Sequence, residues 1–297
     1  MILLGVDAGG SRSNAAAGDG KGTVLARGEG GPGAIRPGTA HAAAAAIATA
    51  CRDAMQRARI EGPAHALVVG AAGAGREPER TELETAVGAL RLAATVRVTT
   101  DAEIALAGAF ADGPGIVLIA GTGSVAWARL PDGATARCGG LGPRLGDHGS
   151  GYDLGMAALR AAGLAAEGLG PATSLGAKLS DRLRMQVSDW PRWVAESSVA
   201  DVSALAPDVI DEAQAGDAVA RRLVEAGADF LARHARNLAQ RFKGDVTVAM
   251  GGGLFKYRDY YRQLAAGRLQ LLAANVTVAK EPLDAAAGAL LLASRLG

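Results

Sequence analysis

The sequence has little cysteine, few aromatic residues and no excess of charge of either sign. Its 297 residues include two cysteines, and 31 Lys and Arg residues offset 30 Asp and Glu residues. Two cysteines argue against a disulfide framework or a Cys-rich zinc site and suit a reducing cytoplasm, which is the location we expect. A net charge close to zero predicts no overall polyanion-binding surface, so no nucleic-acid partner is expected.

Long apolar runs are also absent. The longest candidate, an alanine-rich segment that stops at Arg52, does not reach the roughly 18 uncharged apolar residues of a membrane span. The N-terminal residues MILLGVDAGG lack the basic flank of a signal peptide. We therefore expect neither export nor membrane association. Glycine, in contrast, is abundant at 42 residues, which predicts tight loops close to a ligand.

A short apolar run that enters a glycine-rich loop occurs at 2–10 and again at 115–123. Each loop is followed by small or β-branched residues, a turn and a further strand-like segment. Gly9 and Gly121 lie much further apart than one repeat of a solenoid, so the pattern predicts a duplicated α/β domain with a boundary near 112–114.

Between these loops the pattern alternates strands with helices. The predicted helices cover 38–60, 77–91, a segment that begins at Asp101, much of 151–242 with breaks at Pro171, Pro191 and Pro207, a segment from about 255, and 284–296. The segment DVTVAMGGG gives a third junction between a strand and glycines, and VTVAKEP after it reads as a strand.

The glycine loops allow backbone N–H groups to converge on an anion where a Cβ atom would obstruct them. The chain has no GxxxxGK[ST] phosphate loop. GTGSVA at 121–126 matches a dinucleotide fingerprint, but the residues after it indicate a hairpin instead of the helix that such a site requires. Hairpins without a ligand remain possible for each loop alone, and the shared form of both loops favours phosphate binding.

Six segments carry a resemblance to a known family: GVDAGGSRS at 5–13, TDAEIALAGA at 100–109, IAGTGSVAW at 119–127, GGLGPRLGDHGSGYDLG at 139–155, VAMGGGLF at 248–255 and PLDAAAGALLLA at 282–293. In this order they resemble the signature segments of the BadF/BadG/BcrA/BcrD ATPase family, and within it most closely the N-acetylglucosamine and glucosamine kinases. The resemblance implies an α/β fold of duplicated actin-like (ribonuclease H-like) ATPase domains with a cleft between them. It implies an N-terminal domain at 1–112, completed by the C-terminal helix 284–297, and a C-terminal domain at 113–283 with a helical insertion.

The resemblance also implies a role for each matching residue. Asp7 is expected at a hydrated Mg²⁺ and Asp101 as the catalytic base that also contacts the sugar. The residues expected to bind ATP are Gly9, Gly10, Ser11, Arg12, Gly121, Thr122, Gly123 and Ser124 at the phosphates, with Gly251, Gly252 and Gly253 against adenosine. The other residues expected at the sugar are Gly140, Asp147 and Ser150.

Residue chemistry supports these roles and leaves alternatives. Phosphoryl transfer needs N–H donors, a cation and a carboxylate that accepts the proton of the attacking hydroxyl. Asp7 also fits a turn cap, and both Asp101 and Asp147 also fit helix caps. Arg12, Ala34 and Leu141 depart from the family pattern, which more often has Lys, Asn and an aromatic residue there. Ala34 and Leu141 therefore weaken the prediction of the sugar.

The resulting expectation is an ATP- and Mg²⁺-dependent enzyme that phosphorylates the 6-hydroxyl of an amino sugar, with N-acetylglucosamine preferred over glucosamine and N-acetylmuramic acid. One alternative is an ATPase that activates a dehydratase through an iron–sulfur cluster, for which Cys51 and Cys138 would have to serve as ligands. Another is a non-catalytic sugar sensor, although no DNA-reading segment precedes Asp7. A homodimer is the default expectation for such an enzyme.

Overall fold

The computed structural model describes residues 1–296 and divides them into two compact units. The first unit consists of Met1–Gly113 and a C-terminal segment that begins at Leu283; the second is Pro114–Pro282. Gly297, the last residue of the predicted segment 284–297, lies outside the described residues.

The strands of the two units follow one another along the chain. They are β1 (Ile2–Ala8), β2 (Ser13–Asp19), β3 (Val24–Gly30), β4 (Ala64–Ala71), β5 (Ala93–Thr100), β6 (Gly115–Ala120), β7 (Ser124–Arg129), β8 (Thr135–Gly139), β9 (Val246–Gly251) and β10 (Val276–Val278).

The α-helices lie between and after these strands. They are α1 (Ala40–Arg57), α2 (Glu77–Gly88), α3 (Asp101–Phe110), α4 (Gly151–Ala166), α5 (Leu175–Leu183), α6 (Trp190–Glu196), α7 (Val199–Ser203), α8 (Ala206–Ala215), α9 (Ala218–Ala239), α10 (Gly253–Tyr257), α11 (Asp259–Leu272) and α12 (Ala285–Ala293). No helix among the described residues is both long enough and apolar enough to span a bilayer.

The two sheets have the same strand arrangement. The first has the order β3-β2-β1-β4-β5 and the second the order β8-β7-β6-β9-β10. In each sheet the first three strands are antiparallel neighbours and the others add in parallel. The predicted α/β duplication is therefore confirmed, and the β1–β2 and β6–β7 turns occupy equivalent positions.

The first sheet is covered on both faces, as the nearly continuous apolar sequence of its central strands predicts. One face packs against α1 and α2 through residues such as Ile47 and Leu83. The other packs against α3 and α12 through residues such as Leu3 and Leu290. A Cβ atom on Gly5 would lie 2.2 Å from the backbone nitrogen of Leu290, so only glycine permits β1 to approach α12 this closely.

Several predicted element bounds differ from the structure. The helix predicted over 38–60 is shorter at both ends, and the one predicted over 77–91 ends at Gly88. Pro191 and Pro207 lie in the first turns of α6 and α8, where the missing N–H of proline has no helical partner to lose, so they begin helices instead of breaking one. VTVAKEP forms a strand over only three residues, β10.

Candidate active site

Asp7 lies near the end of β1, where it pairs with Asn14 of β2 and Gly70 of β4. Burial and, to a smaller extent, the charges of Asp101 and Asp284 together raise the pKa of this carboxyl to about 7. A carboxylate that is desolvated and close to other carboxylates is electrostatically unfavourable until a cation binds. Asp7 therefore has the properties expected of a cation-binding group.

Asp101 is the first residue of α3 and directly follows β5. Thr100 is the N-cap of this helix, since its hydroxyl accepts a hydrogen bond from the backbone N–H of Glu103 at 3.2 Å. The alternative in which Asp101 is the N-cap is therefore wrong. Asp101 Oδ1 accepts from the N–H of Ala102 at 2.9 Å, and burial raises the pKa of the carboxyl against the opposing effect of that bond.

In the turn between β1 and β2, Gly9 forms backbone hydrogen bonds through both its N–H and its carbonyl, and the three residues after it are exposed. The N–H of Gly9 donates to the carbonyl of Arg12 at 2.9 Å, and the carbonyl of Gly9 accepts from the N–H groups of Gly33 and Ala34, both at 3.0 Å. Gly10, Ser11 and Arg12 are exposed. Ala34 therefore adjoins this turn through its backbone and offers only a methyl group at the position where the resemblance implies an amide.

The turn between β6 and β7 has a different support. The N–H of Gly121 donates to the carbonyl of Gly123, and the N–H groups of Gly151 and Tyr152 at the start of α4 donate to the carbonyls of Gly121 and Thr122 at 2.7 and 3.3 Å. The N-terminus of α4 is thus occupied by the turn.

The third glycine cluster lies beside this second turn. Gly252 has a φ of 93°, and a Cβ atom there would lie 2.3 Å from the carbonyl oxygen of Ala120, the last residue of β6. A Cβ atom on Gly121 would lie 3.7 Å from the nitrogen of Gly253. The structure thus brings together Gly121–Gly123 and Gly251–Gly253, two groups of residues that the sequence predicts at one nucleotide.

Asp147 lies against the second turn and does not cap α4. Its side chain is 7% exposed, its Oδ1 accepts from the N–H of Gly142 at 3.3 Å, and its Oδ2 is 2.7 Å from the position of a Cβ atom on Gly123. Burial raises the pKa of this carboxyl. The cap of α4 is Ser150, whose hydroxyl accepts from the N–H of Asp153 at 3.2 Å, so the capping alternative for Asp147 is wrong.

The loop Gly140–Ser150, called here the 140–150 loop, is tied to the second turn by Ser124 and to α9 and α11 by aromatic residues. The hydroxyl of Ser124 donates to the carbonyl of His148 at 2.8 Å, and its carbonyl accepts from the N–H of Gly140 at 2.9 Å. The ring of His148 stacks on Phe230 with centroids 4.6 Å apart. The phenol of Tyr261 donates to the carbonyl of Gly149 at 2.8 Å.

Sequence reasoning missed Phe230 and Tyr261, which belong to no motif and lie far along the chain from the loop. Ser150 was expected to contact the sugar. It is fully buried and its hydroxyl serves the helix cap, so its contact with sugar stays a prediction.

The carboxylates of the first unit are compatible with Mg²⁺ but do not form a metal cage. Among the described residues no group of three or more His, Cys, Asp or Glu side chains is arranged to hold a metal ion. Mg²⁺ keeps several waters and takes one or two carboxylates together with phosphate oxygens, so a single half-buried carboxylate such as Asp7 fits it.

Cys51 is poorly placed to be a ligand of an iron–sulfur cluster. Cys51 is fully buried within α1, and burial raises the pKa of its thiol to about 12. Cluster ligands are thiolates, so this residue gives no support to the iron–sulfur alternative.

A model of the BadF/BadG/BcrA/BcrD ATPase family matches residues 4–293. An N-acetylmuramic acid/N-acetylglucosamine kinase of Clostridium acetobutylicum is 30% identical over 234 residues, which cover 77% of this chain and 76% of that protein. A solved structure described as an N-acetylglucosamine kinase of Chromobacterium violaceum has a TM-score of 0.82 and 28% identity, with 98% of each chain covered. A ROK family glucokinase of Streptomyces griseus, in complex with glucose and AMPPNP, has a TM-score of 0.63 at 18% identity over the full length of both chains, which shows a shared fold.

Proposed function

Because the chain belongs to the BadF/BadG/BcrA/BcrD ATPase family, we propose that it is a kinase that transfers the γ-phosphoryl group of ATP to the 6-hydroxyl of an amino sugar. The proposed acceptor is N-acetylglucosamine, with glucosamine and N-acetylmuramic acid as alternatives. The Clostridium relative is named for two of these three sugars. Mg²⁺ dependence, a cytoplasmic location and a homodimer remain predictions from the sequence.

One observation carries this proposal: the first unit places two carboxyls with raised pKa values, Asp7 and Asp101, at the ends of β1 and β5, beside an exposed glycine turn. A phosphoryl-transfer site needs one carboxylate for the metal and one for the acceptor hydroxyl. The charge of Asp101 contributes to the raised pKa of Asp7, which supports a position of the two carboxyls close to each other.

In the proposed mechanism Asp101 accepts the proton of the 6-hydroxyl as its oxygen attacks the γ-phosphorus, while the bond from that phosphorus to the β–γ bridging oxygen breaks and ADP leaves. Burial raises the pKa of this carboxyl, which makes it a stronger base than an exposed aspartate. The bond to the N–H of Ala102 holds Oδ1, so the carboxylate has a fixed orientation. A bound Mg²⁺ supplies charge neutralisation at the phosphate oxygens.

The remaining residues bind and orient. Asp7 would hold the metal through water, and the backbone N–H groups of the two glycine turns would donate to phosphate oxygens. Arg12 adds an exposed guanidinium to the first turn. Asp147 would accept hydrogen bonds from sugar hydroxyls, and this fixes the sugar relative to the second turn.

The proposal is tested by steady-state kinetics with Mg²⁺-ATP and a panel of N-acetylglucosamine, glucosamine, N-acetylmuramic acid and glucose. The matched control is N-acetyl-6-deoxyglucosamine, which keeps every group except the proposed acceptor. We expect a 6-phosphate product from at least one amino sugar and none from the deoxy analogue. Failure of all three amino sugars to yield product rejects the proposal, and a product from the deoxy analogue rejects the 6-hydroxyl as acceptor.

The sugar panel also addresses the two departures from the family pattern. Ala34 offers no amide to a sugar hydroxyl, and Leu141 is 59% exposed and offers an aliphatic side chain in place of an aromatic one. Loss of a polar contact changes sugar discrimination more than loss of an apolar one. Ala34→Asn is therefore expected to change the ranking of the sugars in kcat/KM, and Leu141→Trp to change it less.

A further inference from the structure

We infer that Tyr261 is a positioning residue for sugar binding, because its hydroxyl fixes the backbone that presents the carboxylate of Asp147. Tyr261 lies on α11, is fully buried and has no place in the motifs that predict the site. This inference rests on the proposed function and identifies a determinant of sugar affinity outside the residues that contact the sugar.

The backbone after Asp147 is held at three consecutive carbonyls. The carbonyl of Asp147 accepts from the N–H of Ser150 at 3.0 Å, that of His148 from the hydroxyl of Ser124, and that of Gly149 from the phenol of Tyr261, the last two at 2.8 Å. Two of these three bonds come from side chains of other elements. Of these three donors, only Tyr261 lies outside both the 140–150 loop and the region of the second turn.

The conformation that these bonds hold is intrinsically unfavourable. Asp147 has a φ of 56° and Gly149 a φ of 76°, both in the left-handed region. Glycine adopts this region without penalty, whereas for Asp147 the Cβ atom makes it unfavourable, although Asp tolerates it better than most residues. The orientation of the Asp147 carboxylate therefore depends on external contacts that keep the backbone in place.

The approach of the loop to α9 leaves no space for an alternative donor. A Cβ atom on Gly149 would lie 2.4 Å from the carbonyl oxygen of Gly227, and one on Gly227 would lie 2.7 Å from the phenol oxygen of Tyr261. The phenol therefore fills the gap where loop and helix cross. Gly149 is buried, so without the phenol its carbonyl would lose its partner at a site closed to bulk water.

The phenol is a permanent donor. Burial raises the pKa of Tyr261 far above its ordinary value, and the charge of Asp153 acts in the same direction. The hydroxyl consequently stays protonated at every pH at which the enzyme would be assayed, and its role does not depend on titration.

The experiment compares Tyr261→Phe with Tyr260→Phe, which removes a hydroxyl from the neighbouring, partly exposed residue of the same helix. Tyr261→Phe is expected to raise the KM for the sugar about 10-fold, in line with the loss of one buried hydrogen bond, and to leave the KM for ATP unchanged. Tyr260→Phe is expected to change neither. A purely structural role would instead lower kcat through a smaller folded fraction, with both KM values unchanged, and that result overturns the inference.

A double-mutant cycle tests whether the effect passes through Asp147. If Tyr261 acts by placing this carboxylate, Tyr261→Phe adds little to the loss of kcat/KM already caused by Asp147→Asn. Full additivity of the two losses contradicts the inference. Thermal unfolding of each variant shows that the compared proteins are folded at the assay temperature.

The two proposals fail in different ways. Absence of sugar phosphorylation by the unmodified protein rejects the proposed function, and the inference falls with it. An active enzyme whose sugar KM is unaffected by Tyr261→Phe rejects the inference alone.

Discussion

The turns after β1 and β6 occupy the same position in the same type of sheet, yet they are supported in different ways. The first is anchored through the carbonyl of Gly9, leaves Gly10 to Arg12 exposed, and lies in the unit that contains the coupled carboxylates Asp7 and Asp101. In the second, α4 donates to the turn carbonyls and Asp147 covers Gly123.

The difference indicates a division of labour between duplicated sheets. The first unit holds negative charges that are unfavourable without a cation. The second holds a turn whose carbonyls accept hydrogen bonds from the start of α4, with the 140–150 loop fixed to it. This contrast agrees with the proposed function, in which the first unit supplies the metal ligand and the base and the second unit orients the sugar.

The largest expected effect comes from removing the proposed base of the first unit. Asp101→Asn is expected to lower kcat by about 10²- to 10⁴-fold, because general-base catalysis contributes that much, while the affinity for ATP is retained. The matched control is Glu103→Gln on the same helix, whose carboxylate is already engaged by Arg97 and Thr99. Steady-state kinetics and ATP titration measure both variants. An Asp101→Asn enzyme with normal kcat would remove Asp101 from this role.

The second effect concerns the stability of the ligand-free protein. The folded pKa of Asp7, about 7, lies above its ordinary value of 3.8, so the folded state binds the proton more tightly. This tighter proton binding contributes fully to the free energy of unfolding below pH 3.8, and the contribution is lost as the pH rises through 7. Asp7→Asn is therefore expected to raise the free energy of unfolding by about 2–4 kcal/mol at pH 8 and to have little effect at pH 3.5.

Urea unfolding at the two pH values measures this change. The control is Asp19→Asn, at a partly exposed residue whose pKa is lowered by hydrogen bonds from the backbone of Thr23 and Lys21. Its substitution is expected to lower stability at pH 8, the opposite sign. If Asp7→Asn destabilises the protein at pH 8, the Asp7 carboxylate is not an unfavourable charge in the ligand-free first unit.

The third prediction applies one substitution to both turns. A Cβ atom on Gly123 would collide with Asp147, whereas one on Gly10 would meet nothing within 4 Å in the described part of the chain. Gly123→Ala is expected to raise both the KM for sugar and the KM for ATP by about 10-fold. The reason is that displacement of the Asp147 carboxylate costs about as much binding free energy as the loss of one hydrogen bond to a charged group. Gly10→Ala is expected to raise the KM for ATP alone. A Gly10→Ala enzyme with a raised sugar KM would contradict the comparison.

The smallest expected effect is at Arg12. Arg12→Lys keeps the charge and loses the planar fork that binds two phosphate oxygens, so the KM for ATP is expected to rise about 3-fold. Arg36→Lys, at an exposed residue that follows the Gly33–Ala34 segment, is the control and is expected to leave the KM unchanged. Equal KM values for Arg12→Lys and the unmodified enzyme would show that the first turn binds phosphate through its backbone alone.

Local patterns were sufficient to predict both turns and the order of the elements around them. Short, nearly continuous apolar runs that end in glycines predict strands and turns without reference to distant residues. The N-cap residue of a helix was harder to predict than the helix itself. Thr100 and Asp101 are both good cap residues, and the backbone conformation at the end of β5 decides between them. The same applies to Asp147 and Ser150.

Contacts across long sequence separations were not predictable. Tyr261 and Gly149 are 112 residues apart, and neither lies in a pattern that refers to the other. The stacking of His148 on Phe230 likewise depends on where α9 runs, which the helical period of its sequence does not specify. The site residues named by local motifs were therefore accessible from sequence, and the residues that hold them in place were not.

The contact of β1 with α12 through Gly5 has a consequence for biosynthesis. β1 and β4 leave the ribosome early, whereas the helix that covers one face of their sheet follows only after residues 114–282. At about 5–20 residues per second this delay is roughly 10–30 s, during which Leu3 and Val68 have α3 but lack the part of their cover that α12 provides. The second unit is continuous in sequence and can complete its own core during that interval. The nascent chain is thus expected to finish its later half before its earlier one.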